Sequence, residues 1–431
     1  MKFWRPAAAV TLAIVLLPLA ARAAAPIVTR AGGITVIDQP DSASGLLHVE
    51  LVLRAGLDRQ TLAQNGLAAL TARTILRTPV DGTPLEDAIA AHGGSIRADI
   101  DGGDVRFAIE ALPSDAAAVL SLAQRAIARP AFDAATVGSA RAALLKAIAA
   151  NQQEALRVGL DMLSSAGTKS ANGGLPALGI PALLAQFTSG DVRNFYAKFY
   201  RAGGGFLSAA GRTDLLAPQA LATFAQAIPS GQSAAVSVAL PRLTGTSREL
   251  IAHRDITAPW LVAQYAAPPI ESRDFGPMLV LRAFMQRTLA DIAEVPGVIS
   301  PTFASRAVGS LYQYDETPPN LTLYVNGGIG NPNRSFATAL SIATILASTK
   351  LQGSIDEFKA TASGDFVSEA TSLESRAWLA VVFARNGSSP DYLNRTLGAI
   401  DATSSADLQR VARKYLGNPT IALVLPRDKQ Q

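Results

Sequence analysis

The feature that most constrains this chain is that it nearly repeats itself. In its middle, Asp191 to Gly211 reads as a helix carrying Phe195, Tyr196, Phe199 and Tyr200, then Gly203-Gly204-Gly205, then the apolar strand Phe206 to Ala210. Near its end, Asp407 to Leu416 reads as a helix with Tyr415 in its last turn, then Gly417-Asn418-Pro419, then the strand Thr420 to Leu425. The offset is about 215 residues, half of the 431 in the chain, and similarity at one fixed spacing marks a duplicated unit. The beginnings agree as well, since the apolar run Leu46 to Leu53 has its counterpart in Trp260 to Ala266, which follows the strand Glu249 to Ala252.

Within the first unit, Ile34 to Ile37 and Leu46 to Leu53 read as a hairpin across the turn-forming stretch Asp38 to Gly45. The spacing predicts helices from Asn65 to Thr78 and from Pro84 to Ala91, and two alternating strands, Ser95 to Ile100 and Asp104 to Leu112. The alanine-rich stretch Ala116 to Gln153 predicts two packed helices broken near Pro130. The fold class expected is α+β, with two homologous domains, 26–228 and 248–431, each a mostly antiparallel sheet covered by helices. The stretch 229–247, rich in Ser, Gly, Pro and Thr, reads as their linker.

Composition narrows the function classes. With 49% hydrophobic and 17% charged residues the chain can bury large cores. Residues 1–23 have the anatomy of a cleaved export signal: Lys2 and Arg5, the apolar run Ala7 to Ala20, then Ala21-Arg22-Ala23. This predicts a periplasmic or secreted protein with no later segment of membrane-spanning length. Loss of Lys2, Arg5 and Arg22 brings the net charge from +4 to +1, which removes the electrostatic case for nucleic acid. The chain has no cysteine, so thiolate metal sites and a cysteine nucleophile are excluded. No Gly-x-Ser-x-Gly elbow occurs either.

The duplicated order of strands and helices carries three local patterns: Arg54-Ala55-Gly56 leading to Asn65-Gly66-Leu67-Ala68, His92-Gly93-Gly94 ahead of a strand, and Phe195 to Gly211. Together they resemble the pitrilysin/insulinase family of zinc peptidases over nearly the whole chain after the signal. The resemblance implies a helix after the Gly-Leu-Ala element bearing His-x-x-Glu-His, two zinc ligands one turn apart and a glutamate that activates water. Here that stretch is Ala69-Leu70-Thr71-Ala72-Arg73. Ala69 and Arg73 stand at the ligand positions and Ala72 at the base position. A third ligand, a glutamate, is implied in the stretch that here reads Leu145 to Ala150, with Ala147 at its place and no acidic residue present. In active assemblies the second half supplies an arginine and a tyrosine that hold the substrate backbone. The corresponding element is Ile292 to Pro301, with Ala293 and Ser300 at those positions, and no Arg or Tyr occurs from Thr288 to Ser305. Arg287, Arg306, Tyr312 and Tyr314 flank that gap.

Other candidate sites read as structural. His48, His92 and His253 are the only histidines and lie far apart in sequence. Asp99 to Asp104 lacks the downstream glutamate of a calcium loop and reads as a hairpin turn. Gly327-Gly328-Ile329-Gly330 reads as a strand-end turn. For Arg73 two readings stand: the guanidinium fills the vacated metal position and pairs with a carboxylate, or it reaches solvent from a helix end. The strand Ser95, Ile96, Arg97, Ala98 and Asp99 corresponds to the edge that pairs with extended peptides in active relatives, and backbone pairing needs no catalytic side chain. Arg97-Ala98 replaces an Asn-Ala pair common in the family.

The function expected from these residues is a non-catalytic, periplasmic pseudo-peptidase subunit without a zinc cofactor. It would pair with a zinc-bearing relative as a heterodimer, or with itself as a homodimer, in peptide degradation or processing. The alternatives are a stand-alone peptide-binding or scaffold protein, and an active zinc peptidase with an atypical site.

Overall fold

The structure is a computed structural model that describes residues 26–167, 175–235, 248–293, 307–316, 318–328, 333, 335–341, 355–387 and 392–427. The stretch 1–23 expected to be an export signal, most of the stretch 229–247 expected to be a linker, Ser300 and Arg306 lie outside the described residues.

Two sheets organise the chain. The first contains β1 (Ile27–Ala31), β2 (Ile34–Pro40), β3 (Leu47–Leu53), β6 (Ser95–Ile100), β7 (Val105–Ala111) and β8 (Phe206–Gly211), while β4 (Pro79–Val80) and β5 (Thr83–Pro84) form a separate small ladder. Its order is β1-β2-β8-β3-β7-β6, antiparallel except for β2 beside β8. The second sheet contains β9 (Arg248–Arg254), β10 (Trp260–Ala266), β11 (Val308–Gln313), β12 (Asn320–Asn326) and β13 (Thr420–Pro426). Its order, β9-β13-β10-β12-β11, repeats β2-β8-β3-β7-β6, with β9 parallel to β13 as β2 is to β8. The two halves therefore share one topology, and the fold is α+β.

The expected hairpin between Ile34–Ile37 and Leu46–Leu53 does not form. β8 inserts between β2 and β3. The reason lies in burial: β8 is buried from Leu207 to Gly211, and such a strand needs neighbours on both edges. β2 instead turns back on β1 through Gly32 and Gly33, both at positive φ (59° and 94°) that L side chains rarely adopt.

The first half carries α1 (Leu67–Leu76), α2 (Leu85–Ala91), α3 (Ala116–Ala128), α4 (Ala134–Asn151), α5 (Ala155–Gly167), α6 (Pro181–Leu184), α7 (Ser189–Phe199) and α8 (Ala220–Ala227). The second carries α9 (Phe275–Ala293), α10 (Ile355–Glu369), α11 (Leu373–Arg385), α12 (Tyr392–Asp401) and α13 (Ser405–Tyr415). Helix α7 and its counterpart α13 both begin with a capping box, Thr188 with Asp191 and Ser404 with Asp407, which fixes where each helix starts.

Two helices cross between the halves. α5 packs on β10 and β13 of the second sheet, and α11 packs on β2, β3 and β8 of the first. Gly159 permits the first crossing, because a Cβ there would lie 2.5 Å from Val262 Cγ2. Ala155, Val158 and Leu163 of α5 are buried against Val262, Ala422 and Val424. In the other direction, Val52 of the first sheet belongs to the second apolar core.

Charged groups line the same contact. Arg376 of α11 pairs with Asp41 at 2.8 Å while its carbonyl accepts from Gln39 Nε2 at 3.1 Å. Glu374 pairs with Arg97, and Arg385 with the buried Asp104. Arg106 of the first sheet lies 3.7 Å over the Trp378 ring, whose Nε1 donates to Asp315 at 2.8 Å.

Carboxyls crowd this contact. Burial, then the neighbouring Asp315, pushes Glu316 up to about 7 against the pull of Arg106 and Arg385. Burial likewise pushes Asp58 up to about 6, and burial with Asp104 and Glu316 nearby raises Asp101. Between about pH 4.5 and 7 the native chain therefore holds protons that the unfolded chain has released, so stability falls as pH rises through that window. Urea unfolding at pH 5 and pH 7 is expected to differ by on the order of 2 kcal/mol, with pH 5 the more stable. Glu316→Gln is expected to flatten the slope, and an unchanged slope in that variant removes Glu316 as its source.

Candidate functional site

The site begins with how α1 is held. Gly66, at the helix N-cap, has φ 99°, and a Cβ there would lie 2.8 Å from Leu184 Cδ2 and 3.0 Å from Gly179 Cα. Gln60 Oε1 accepts from the Ala68 amide at 2.9 Å, satisfying one of the free N–H groups of the first turn. Asn65 Nδ2 donates to the Pro176 carbonyl at 3.2 Å, so the segment 175–180 is clipped over the helix start. Gly179 is the tightest point, at φ 96° with a Cβ that would sit 2.4 Å from Gly66 Cα. Gly179→Ala is expected to cost about 3 kcal/mol in thermal unfolding, from positive-φ strain plus a backbone clash. A cost below about 1 kcal/mol shows that the segment moves aside freely.

Nearly all of α1 is buried. Thr71 and Thr74 donate their hydroxyls to the Leu67 and Leu70 carbonyls, which leaves no unsatisfied polar group on the core side. Ala69, Ala72 and Arg73, at i, i+3 and i+4, share one helix face, and that face floors a cleft of about 370 Å³. Its walls are Ala98, Asp99 and Ile100 of β6, Leu144 and Ile148 of α4, Arg157 and Asp161 of α5, and the segment Pro176–Pro181. Burial pushes the Asp161 carboxyl up, with Arg157 offsetting part of the effect.

Arg73 is 29% exposed and is paired. Its Nη1 lies 3.2 Å from Glu86 Oε2, while Arg77 Nε lies 2.8 Å from Glu86 Oε1. Two guanidiniums share one carboxylate, so the group keeps a net positive charge. The pairing half of the first reading of Arg73 is what the structure shows, and the residue also lines the cleft.

The remaining expected positions divide. Ala147 is half-buried on α4 but does not line the cleft, where α4 contributes Leu144, Ile148 and Asn151 instead. Ala293 closes α9, and the element that follows it lies outside the described residues up to residue 306. Tyr312 and Tyr314 have committed hydroxyls, donating to the Pro268 carbonyl at 2.5 Å and to Glu369 Oε1 at 2.9 Å. Among the described residues β6 is the outermost strand, hydrogen-bonded only to β7, with Ser95, Arg97 and Asp99 exposed and Ile96 buried. Arg97 Nε donates to Asp99 at 3.0 Å.

Each histidine has a local partner: His48 with Glu50 at 3.1 Å, His92 with Asp115 at 3.0 Å, and His253 with the Pro426 carbonyl at 3.4 Å. In the Asp99–Asp104 turn, Asp101 Oδ1 accepts from the Gly103 and Asp104 amides at 2.9 and 2.7 Å, and Asp104 serves Arg54 and Arg385. Among the described residues no three carboxylate or imidazole side chains converge in a metal-binding group.

Residues 36–179 match the family model described as Insulinase (Peptidase family M16). Over that segment the chain resembles the insulinase family. The likeness in three dimensions extends beyond the matched segment. A protease from Helicobacter pylori is 13% identical, with 93% of this chain and 99% of that one covered at a TM-score of 0.77. A peptidase M16 inactive domain from Pseudomonas fluorescens is 14% identical, with 94% and 99% covered at 0.76. A chain of complex III2 from Candida albicans is 15% identical, with 93% and 95% covered at 0.73. At these identities the likeness is one of fold. No curated protein matches the chain in sequence.

Zinc is the metal that this family implies, and the donors at the cleft floor do not fit it. Ala69 and Ala72 present methyl groups, Leu144 and Ile148 face them from α4, and Arg73 brings a permanent cation. What the site presents is a small cleft, an outermost strand edge and a net positive guanidinium pair.

Proposed function

We propose that this protein is a non-catalytic, exported subunit descended from a peptidase, which holds peptides and works beside a zinc-bearing relative. The observation that carries the reading is the cleft face of α1, which presents Ala69, Ala72 and Arg73, none of them the imidazole or carboxylate that zinc peptidase chemistry requires. The fold likeness to the peptidase M16 inactive domain from Pseudomonas fluorescens supports it. Peptide holding rests on β6, whose outer edge offers backbone groups to an added strand beside the cleft. A stand-alone peptide-binding protein is the second reading, favoured by the same edge, which needs no partner to pair with a peptide.

Metal analysis of the purified chain, with a peptide-cleavage assay with and without chelator, tests the non-catalytic role. Well under one zinc per chain and no chelator-sensitive cleavage are expected, and stoichiometric zinc with such cleavage overturns the proposal. Purification from the native host separates the two readings. Recovery with a zinc-bearing relative supports the subunit, whereas recovery only as a monomer or homodimer favours the stand-alone protein.

A further inference from the structure

The cleft floor carries a charge that the non-catalytic reading leaves unused. Arg73 and Arg77 share Glu86, and the shorter contact belongs to Arg77 (2.8 Å against 3.2 Å). Of the two arginines only Arg73 lines the cleft, so the excess positive charge lies on the cleft side. On the opposite wall Asp99 shares Arg97 with Glu374, and Asp161, whose carboxyl burial pushes up, has Arg157 beside it. Arg157, exposed on α5, adds a second cation to the same wall.

The geometry supplies a direction. A peptide added to the free edge of β6 runs past Ala98 to Ile100, which open onto the cleft. The cleft is small, about 370 Å³, at the low end of ligand-sized cavities. Its floor beside the guanidinium is made of alanine methyls, suited to a short apolar side chain. An alanine floor with one half-buried guanidinium at the end of a strand-binding edge suits a chain terminus better than a continuous chain, because a carboxylate can take paired hydrogen bonds from arginine.

We propose that this cleft binds the free carboxyl terminus of a peptide, with the backbone added to β6 and the terminal carboxylate on Arg73. This inference rests on the peptide-holding reading above and names the ligand class. The site would retain peptide ends of the kind that a peptidase releases.

The test uses the full chain and two pools of random-sequence octapeptides labelled with fluorescein at the amino terminus, one ending in free carboxylates and one in carboxamides. Fluorescence anisotropy is expected to show at least about tenfold tighter binding of the carboxylate pool, the scale of one charge-assisted contact. Arg73→Gln is expected to bring the two pools to within about twofold of one another. Arg73→Lys, which keeps the charge without the planar fork, is expected to fall between. Equal binding of both pools by the unaltered chain overturns the carboxylate assignment and leaves peptide holding intact. Binding of neither pool overturns both. A preference that survives Arg73→Gln but disappears in Arg157→Gln moves the carboxylate to α5 and overturns the role given to Arg73.

Discussion

Asp104→Ala is expected to lower the unfolding free energy by about 4 kcal/mol, the scale for removing one partner from a buried ion pair. Asp104 is 1% exposed and accepts from Arg54 at 3.2 Å and from Arg385 of the other half. Its loss strands Arg385, which is only 22% exposed. A double-mutant cycle with Arg385→Ala, read by urea unfolding, should give a coupling of about 2 kcal/mol. The neighbouring Arg97–Glu374 pair spans the same two halves, but its members are 47% and 44% exposed. Its coupling is expected to stay below about 1 kcal/mol. Equal coupling for the two pairs defeats the argument that burial decides which one matters.

Glu50→Ala is expected to cost about 3 kcal/mol and to change the surroundings of a tryptophan in the other half. Glu50 is fully buried, with His48 Nε2 and Arg106 Nη2 each 3.1 Å from Oε1. Burial alone pushes its carboxyl up, but the hydrogen bond from His48 and the Arg106 guanidinium more than offset this and hold it below the usual carboxylate range. Its contribution is therefore present above the ordinary carboxylate value and is lost as pH falls through the folded value. Without Glu50, Arg106 remains charged and only 16% exposed over the Trp378 ring. A shifted tryptophan emission in Glu50→Ala is the expected signature, and unchanged emission with unchanged stability contradicts it.

Local patterns carried much of the fold. Helix α1, the β6–β7 hairpin and the pair α3 and α4 each follow from spacing within twenty or so residues. What the sequence hid was set by distance along the chain. β8 reaches the gap between β2 and β3 from far downstream, and no turn signal near Asp38 to Gly45 announces that arrival. The Asp104–Arg385 pair joins residues 281 apart, a separation that no window of periodicity reads. At the candidate site Ala69, Ala72 and Arg73 were singled out by the resemblance to the His-x-x-Glu-His element of the insulinase family, and their i, i+3 and i+4 spacing puts them on one face of α1. The face of α4 was not legible, since its alanines give every face similar character, and Ile148 rather than Ala147 reaches the cleft.

The exchange of α5 and α11 bears on ancestry and on integrity. Each half surrenders one helix and receives one, so neither sheet is covered by its own segment alone. Such reciprocity is the geometry of a domain-swapped twofold dimer whose subunits have been joined into one chain. Before that joining, the exchange itself would have held two copies together. The two halves are then held by the exchanged helices themselves, and each depends on the other for the cover of its sheet.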